Sequence, residues 1–173
     1  MKRVLLGLGS SLSDRYEAIH FALLHIQRLA DVNLLRVSSL YCSTPLGRAQ
    51  NLFLNASCVM ETRLSPPKLL FELKRIERRV GRRKNKRWAD RVIDIDILLM
   101  GKDVYRSRSL SIPHPEFLRR SFVLQPSVEI AGDWIHPIEN RPIKDLREQY
   151  PICWPIGCLP FTPRALWQEP SDL

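Results

Sequence analysis

Val4 to Leu8 is an apolar run that stops at Gly9 and the polar cluster Ser10, Ser11, Ser13 and Asp14, which predicts a first strand over residues 3–8. Behind Asp14, a residue type that caps helix starts, Ile19, Ala22, Leu23, Ile26 and Leu29 recur at helical spacing. An extended stretch follows over residues 33–41, then a loop over 43–52 punctuated by Pro45 and Gly47, then a strand over 53–62. Ser65 is expected to cap a helix opening at Pro66, with Leu69, Leu73, Ile76 and Val80 on its inner face and Glu77 beside them. Residues 92–99 return to period two, which turns Ile93, Ile95 and Ile97 to a core and Asp94 and Asp96 to the opposite face. The order strand, helix, strand, strand, helix, strand predicts the α+β class. Its core is a ferredoxin-like βαββαβ unit, an antiparallel sheet backed by helices. Beyond Gly101 extra C-terminal elements are expected: a hairpin-like stretch, a short helix at 116–120, a segment at 121–130 and a helix near 143–149.

With 173 residues, 45% of them hydrophobic, the chain suffices for one packed domain. We assign residues 1–150 to a single catalytic domain and 151–173 to an extension. That extension holds five prolines, Trp154, Phe161 and Trp167, too apolar for an ordinary disordered tail. It is expected to pack on the domain or on a partner subunit of a monomer or weak homodimer. Cysteines at 42, 58, 153 and 158 form no Cys-x-x-Cys pair, which favours free thiols in a reducing, cytoplasmic setting. The apolar run after Met1-Lys2-Arg3 is too short for a signal peptide, and no segment approaches the ~20 apolar residues of a membrane span. His20 and His25, five apart, do not share a helix face and carry no ligand role.

Charge changes the picture at one place. The chain has a formal net charge of +9, yet residues 74–91 hold ten Lys and Arg against two acids, leaving 17 basic and 16 acidic residues elsewhere. A local anion trap argues for a compact anionic partner, not for a broad surface for nucleic acid or membrane. Directly after it, Asp94 and Asp96 stand about 6–7 Å apart at their α-carbons if they lie on a strand. Two carboxylates at that spacing suit Mg²⁺, which fills its other positions with water and phosphate. Taken alone, Asp-x-Asp equally suits a solvated strand face; the adjoining basic loop tips the reading to a metal-bound polyphosphate. Arg82, Arg83, Lys84, Lys86, Arg87 and Arg91 around Trp88 read as a lid whose guanidinium groups bind phosphate oxygens.

Eight segments in order then resemble the 6-hydroxymethyl-7,8-dihydropterin pyrophosphokinase family of folate biosynthesis. They are Gly9-Ser10-x-Leu12, Ser43-x-Pro45-Leu46-Gly47, Phe53-Leu54-Asn55-Ala56, Arg75-Ile76-Glu77, Arg87-Trp88, Arg91-x-x-Asp94-Ile95-Asp96-Ile97, Ile112-Pro113-His114-Pro115 and Arg120-x-Phe122-Val123-Leu124. The resemblance spans roughly residues 3–137 and implies pyrophosphoryl transfer from ATP to the pterin hydroxymethyl group, with two Mg²⁺ ions and release of AMP. It implies catalytic roles for Arg82, Arg91 and Trp88, metal binding by Asp94 and Asp96, and ATP binding by Lys74, Glu77, Ile97, His114 and Arg120. It further implies a pterin site of Ser43, Leu46, Phe53, Asn55 and Phe122, with the two aromatics sandwiching the ring. Stacking with an amide reading the rim suits a flat heterocycle, and Asn55 shares a strand face with Phe53. The alternative for Phe53 and Phe122 is core packing, against which the placement of Asn55 favours stacking; on residues alone His114 reads as a turn residue between prolines. Two departures stand out: Ser11 where the family commonly has Asn, and loops at 47–53 and 81–88 about one residue shorter than in a familiar bacterial member. Rival classes are a ferredoxin-like nucleic-acid-binding module and a two-metal nucleotidyltransferase.

Overall fold

β1 (Lys2–Ser10) is the central strand, antiparallel to β4 (Phe53–Thr62) on one side and to β5 (Asp94–Met100) on the other. The computed structural model describes residues 1–45, 49–82 and 90–149. β2 (Val32–Val37) pairs with the far half of β4 and β3 (Tyr41–Ser43) with its first residues, so the sheet runs β2-β4-β1-β5. α1 (Arg15–Gln27) and α2 (Pro66–Arg79) complete the expected ferredoxin-like α+β core. α1 starts where predicted, because Asp14 accepts hydrogen bonds from the Tyr16 and Glu17 amides, each at 3.1 Å; such a cap contributes about 1 kcal/mol. Ser65 precedes α2, but its side chain makes no capping bond, and the start falls to Pro66.

Alternation along β1, β4 and β5 sorts side chains between two layers. Val4, Leu6 and Leu8, Ala56, Cys58 and Met60, and Ile95 and Ile97 pack against α1 and α2. The opposite face is covered at one end only, where Leu5, Val59, Leu98 and Leu99 meet α3 (Ser121–Ala131) and α4 (Ile143–Gln149). Each fully buried Leu there contributes about 1.5–3 kcal/mol. A β-bulge puts both Leu98 and Leu99 on that side, where strict period two would have sent Leu99 to the other. The other end of the face, over Gly7, Gly9, Asp94 and Asp96, is left open by α3 and α4.

Several boundaries differ from the sequence reading. Residues 115–119 form turns and not a helix, with Phe117 N–H bonded to the His114 carbonyl at 3.0 Å and Arg119 N–H to Glu116 at 3.2 Å. The segment at 121–130 is helix α3, hidden from the sequence pattern by the internal Pro126, which removes the bond to the Phe122 carbonyl. β1 extends to both sides of 3–8, and the 33–41 stretch breaks into β2 and β3. The hairpin-like stretch is β6 (Tyr105–Arg106) with β7 (Ser111–Ile112). Among the described residues no helix is long and apolar enough to cross a membrane. The 151–173 extension lies outside the described residues.

Candidate active site

Gly7 and Gly9 form the floor of the open half-face. They lie on β1 between their partners Ser57 and Asn55 on β4 and Asp96 and Asp94 on β5. A Cβ on Gly9 would stand 3.3 Å from Asn55 Oδ1, and one on Gly7 3.3 Å from Leu98, so glycine leaves the depth of the pocket clear. The cavity holds about 720 Å³ of empty space, open solvent included, and has two differently built ends.

One end is aromatic and amide. Phe53 opens β4, Phe122 sits in the first turn of α3, and both line the cavity with Ser43 and Asn55. Asn55 is 4% exposed and its orientation is fixed: Nδ2 donates to Ser43 Oγ at 2.9 Å and to the Tyr41 carbonyl at 3.3 Å. Its Oδ1 is turned toward Gly9, an acceptor on the cavity side. Ser43 is therefore both a lining residue and the orienter of Asn55. Leu46, expected in this wall, lies outside the described residues.

The other end is ionic. Asp94 Oδ1 accepts from Arg82 at 2.5 Å, Asp94 Oδ2 pairs with Arg91, and Lys74 Nζ stands 3.9 Å from Oδ1. Burial alone would raise the Asp94 carboxyl, but Arg91, then Arg82 and Lys74, outweigh it and hold it below the usual carboxylate range. Asp96, one step along the same strand face, is pushed up by burial and by the Asp94 charge, against the opposing pull of His114, Lys74 and Arg120. His114 is fixed in a turn: its amide donates to the Leu98 carbonyl at 2.9 Å, and its Nδ1 accepts from Glu116 N–H at 3.2 Å. Arg120 lines the cavity between the two ends. Trp88 lies outside the described residues, as do Arg83, Lys84, Lys86 and Arg87, with which the expected lid falls outside them.

Glu77 and Ile97 are placed differently from simple ligand contacts. Glu77 is 2% exposed, and its Oε1 accepts from the Ile95 amide at 2.8 Å, Lys74 at 2.6 Å and Arg82 at 2.7 Å. Lys74 also reaches the Ile95 carbonyl at 3.4 Å, so α2 satisfies both outward backbone groups of Ile95 on the sheet edge. Burial raises the Glu77 carboxyl despite Lys74 and Arg82. The Ile97 side chain, 2% exposed, is packed in the layer under α1 and α2 and does not reach the cavity. Only its backbone, on the edge strand, is available to a ligand.

Sequence reasoning missed Gly7, Thr44, Leu98 and Val123 as cavity lining. The two glycines alternate with Leu6 and Leu8, a signal that the face opposite those leucines is bare. As for metal, Asp94 and Asp96 give two oxygen donors on one face beside an open cavity. Among the described residues no group of three or more His, Cys, Asp or Glu converges. Two carboxylates with room beside them fit a hard cation that draws its remaining ligands from water and phosphate.

Fold and site together define a small domain of ferredoxin-like architecture whose one cleft has an ionic end and an aromatic-and-amide end. Residues 5–132 match the family model of 7,8-dihydro-6-hydroxymethylpterin-pyrophosphokinase. The 2-amino-4-hydroxy-6-hydroxymethyldihydropteridine pyrophosphokinase of Haemophilus influenzae is 42% identical over 146 residues, covering 84% of this chain and 91% of that protein. The folic acid synthesis protein fol1 of Pneumocystis carinii is 41% identical over 149 residues, 84% of this chain but 20% of that one. In fold the chain is similar to the crystal structure of Plasmodium falciparum HPPK-DHPS with pteroate. The TM-score is 0.69 at 15% identity, and the match covers 86% of this chain and 44% of that longer one. The chain belongs to the 7,8-dihydro-6-hydroxymethylpterin-pyrophosphokinase family.

Proposed function

We propose that the protein transfers the pyrophosphoryl group of ATP to the hydroxymethyl oxygen of 6-hydroxymethyl-7,8-dihydropterin, with release of AMP, as a step of folate biosynthesis. The observation that carries the reading is the shared cleft: Phe53, Asn55 and Phe122 stand across a glycine floor from Asp94 and Asp96. Phe53 and Phe122 would hold the flat ring by its faces while Asn55, oriented by Ser43, reads its polar edge. Asp94 and Asp96 would hold two Mg²⁺ ions, which when bound neutralise charge on the triphosphate. Arg82 and Arg91, here engaged with Asp94, are within reach of phosphate oxygens entering beside that carboxylate, and His114 and Arg120 approach from the Asp96 side. Lys74 and the Ile97 backbone would face the adenine and ribose, and Glu77 positions Lys74 and Arg82 without touching the nucleotide.

The substrate oxygen attacks the β-phosphorus in line, its proton is released, and AMP departs with the bridging oxygen. Catalysis then rests on positioning and on cationic stabilisation of the transferred group, with no covalent enzyme intermediate. Paired aspartates on the open sheet face would repel a nucleic-acid backbone, and an end lined by Phe53, Phe122 and Asn55 would have no use in a nucleotidyltransferase. A reducing, cytoplasmic setting fits the free thiols Cys42 and Cys58. The test is chromatography of products after mixing protein, ATP, Mg²⁺ and the pterin, beside an EDTA control. AMP appearing only with pterin and metal supports the reading. Absence of AMP from folded, ATP-binding protein refutes it.

A further inference from the structure

Residues 50–52 lead into Phe53, at the aromatic end of the cleft, without strand partners, since β4 begins only at Phe53. Charged side chains hold them instead. Asp90 Oδ2 accepts from the Gln50 amide at 3.1 Å, Asp90 Oδ1 from the Asn51 amide at 3.2 Å, and Arg15 donates to the Leu52 carbonyl at 2.8 Å. Asp90 is itself anchored through its neighbour. The Arg91 amide donates to Ser11 Oγ at 3.0 Å, and the Arg91 carbonyl accepts from Ser11 at 3.0 Å and Leu12 at 3.2 Å. The β1–α1 connection therefore pins the chain at 91 from one side, while the Asp90 carboxylate reaches the approach to β4 from the other.

Two residues after Asn51 stands Phe53, and three after Arg91 stands Asp94. We propose that Asp90 is a positioning residue that ties the pterin end of the cleft to its phosphate end, fixing the approach to β4 against the approach to β5. The proposal rests on the transferase reading above. Asp90 touches neither substrate in that reading. It sets the distance between a ring held at Phe53 and Asn55 and a triphosphate held at Asp94 and Arg91, the spacing on which an in-line attack depends. Burial would raise the Asp90 carboxyl, but the Gln50 and Asn51 amides, with Ser11, outweigh it and hold it below its ordinary value, as expected for a carboxylate that is bonded in its charged form. Ser11 serves this junction directly and takes the Arg91 amide on its hydroxyl.

The experiment compares wild type, Asp90→Ala and Asp90→Asn by steady-state kinetics, thermal unfolding and amide hydrogen exchange of residues 50–52. Asp90→Ala is expected to lower kcat/KM for the pterin about tenfold while changing the affinity for an unreactive ATP analogue less than about twofold. The unfolding midpoint should move by no more than about 2 °C, and exchange at Gln50 and Asn51 should rise. Asp90→Asn keeps one acceptor and should recover part of both losses. Unchanged exchange at Gln50 and Asn51, or equal losses toward both substrates accompanied by a large fall in the midpoint, would overturn the proposal. Wild type that forms no pterin-dependent AMP sinks the transferase reading alone, because the exchange data still decide whether Asp90 anchors this segment.

Discussion

Replacing Glu77 separates a structural from a catalytic use of the ionic cluster. In Glu77→Ala the Ile95 amide, Lys74 and Arg82 all lose the same acceptor, Oε1, at a side chain only 3% exposed. An unsatisfied buried amide costs about 1–3 kcal/mol. The two cations, 35% and 26% exposed at their side chains, recover much of their loss from solvent and from Asp94, so little is added for them. The expected destabilisation is about 2–3 kcal/mol, or a fall of about 5–10 °C in midpoint for a domain of this size. Glu77→Gln tells more. The folded-state carboxyl is raised by burial, so the folded protein favours its neutral form relative to the unfolded chain. Stability from this group is therefore full below its ordinary value of 4.5 and declines as pH rises through the folded-state value. Glutamine keeps an acceptor for Ile95 and carries no charge. The variant should sit within about 1 kcal/mol of wild type at neutral pH and show a flatter dependence on pH above the ordinary value. Urea unfolding at several pH values measures both. An alanine variant as stable as wild type, or a glutamine variant as damaged as alanine, would refute the bonding scheme at the β5 edge.

Asp96→Ala should cut turnover about 10³-fold, from the loss of several kcal/mol of charge stabilisation, while pterin binding followed by fluorescence persists; retained turnover would sink the metal assignment. Gly9→Ala puts a methyl group 3.3 Å from Asn55 Oδ1, so pterin affinity should fall about three- to tenfold with ATP-analogue affinity unchanged, and calorimetry showing no change would remove Asn55 from the pocket. Burial pushes the Cys58 thiol up to about 12 from 9.0. Iodoacetamide at pH 8 should therefore modify half-exposed Cys42 and spare Cys58 until the protein is unfolded in urea, and equal labelling of the folded protein would contradict that burial. The same shift means that stability falls as pH rises above 9.0, because the unfolded thiol ionises first.

Where the chain's pattern is local and repeated, it anticipated the structure. Alternating Ile and Asp on β5 placed Ile95 and Ile97 under the helices and Asp94 and Asp96 on the open face. The Asp14 cap and the stripe on α1 were equally readable. Alternation also sends the Ile97 side chain to the core, so any contact of Ile97 with a nucleotide falls to its edge-strand backbone. The misses share a cause. Pro126 made a helix look like an unassigned segment, and the bulge at Leu98 broke the period that would have shown a second buried layer. Neither can be deduced without the contacts that compensate for it.

That second layer is what defines the cleft. A ferredoxin-like sheet with one bare face could place a ligand anywhere along it. Here α3 and α4 bury Leu5, Val59, Leu98 and Leu99 at one end, and α3 brings Phe122 to the boundary of the end it leaves open. Packing energy thus sets where the pocket begins, and the glycines of β1 set how deep it is. The polar contacts add orientation: Ser43 turns Asn55, Glu77 holds Lys74 and Arg82, and Asp90 bridges sequence separations of 39 and 40 residues to the approach of β4. Such long-range bonds leave no periodic trace in the sequence. A residue like Asp90, which reads there as a lone acid at the edge of a basic run, gains its role only once the sheet order puts β4 and β5 on either side of β1.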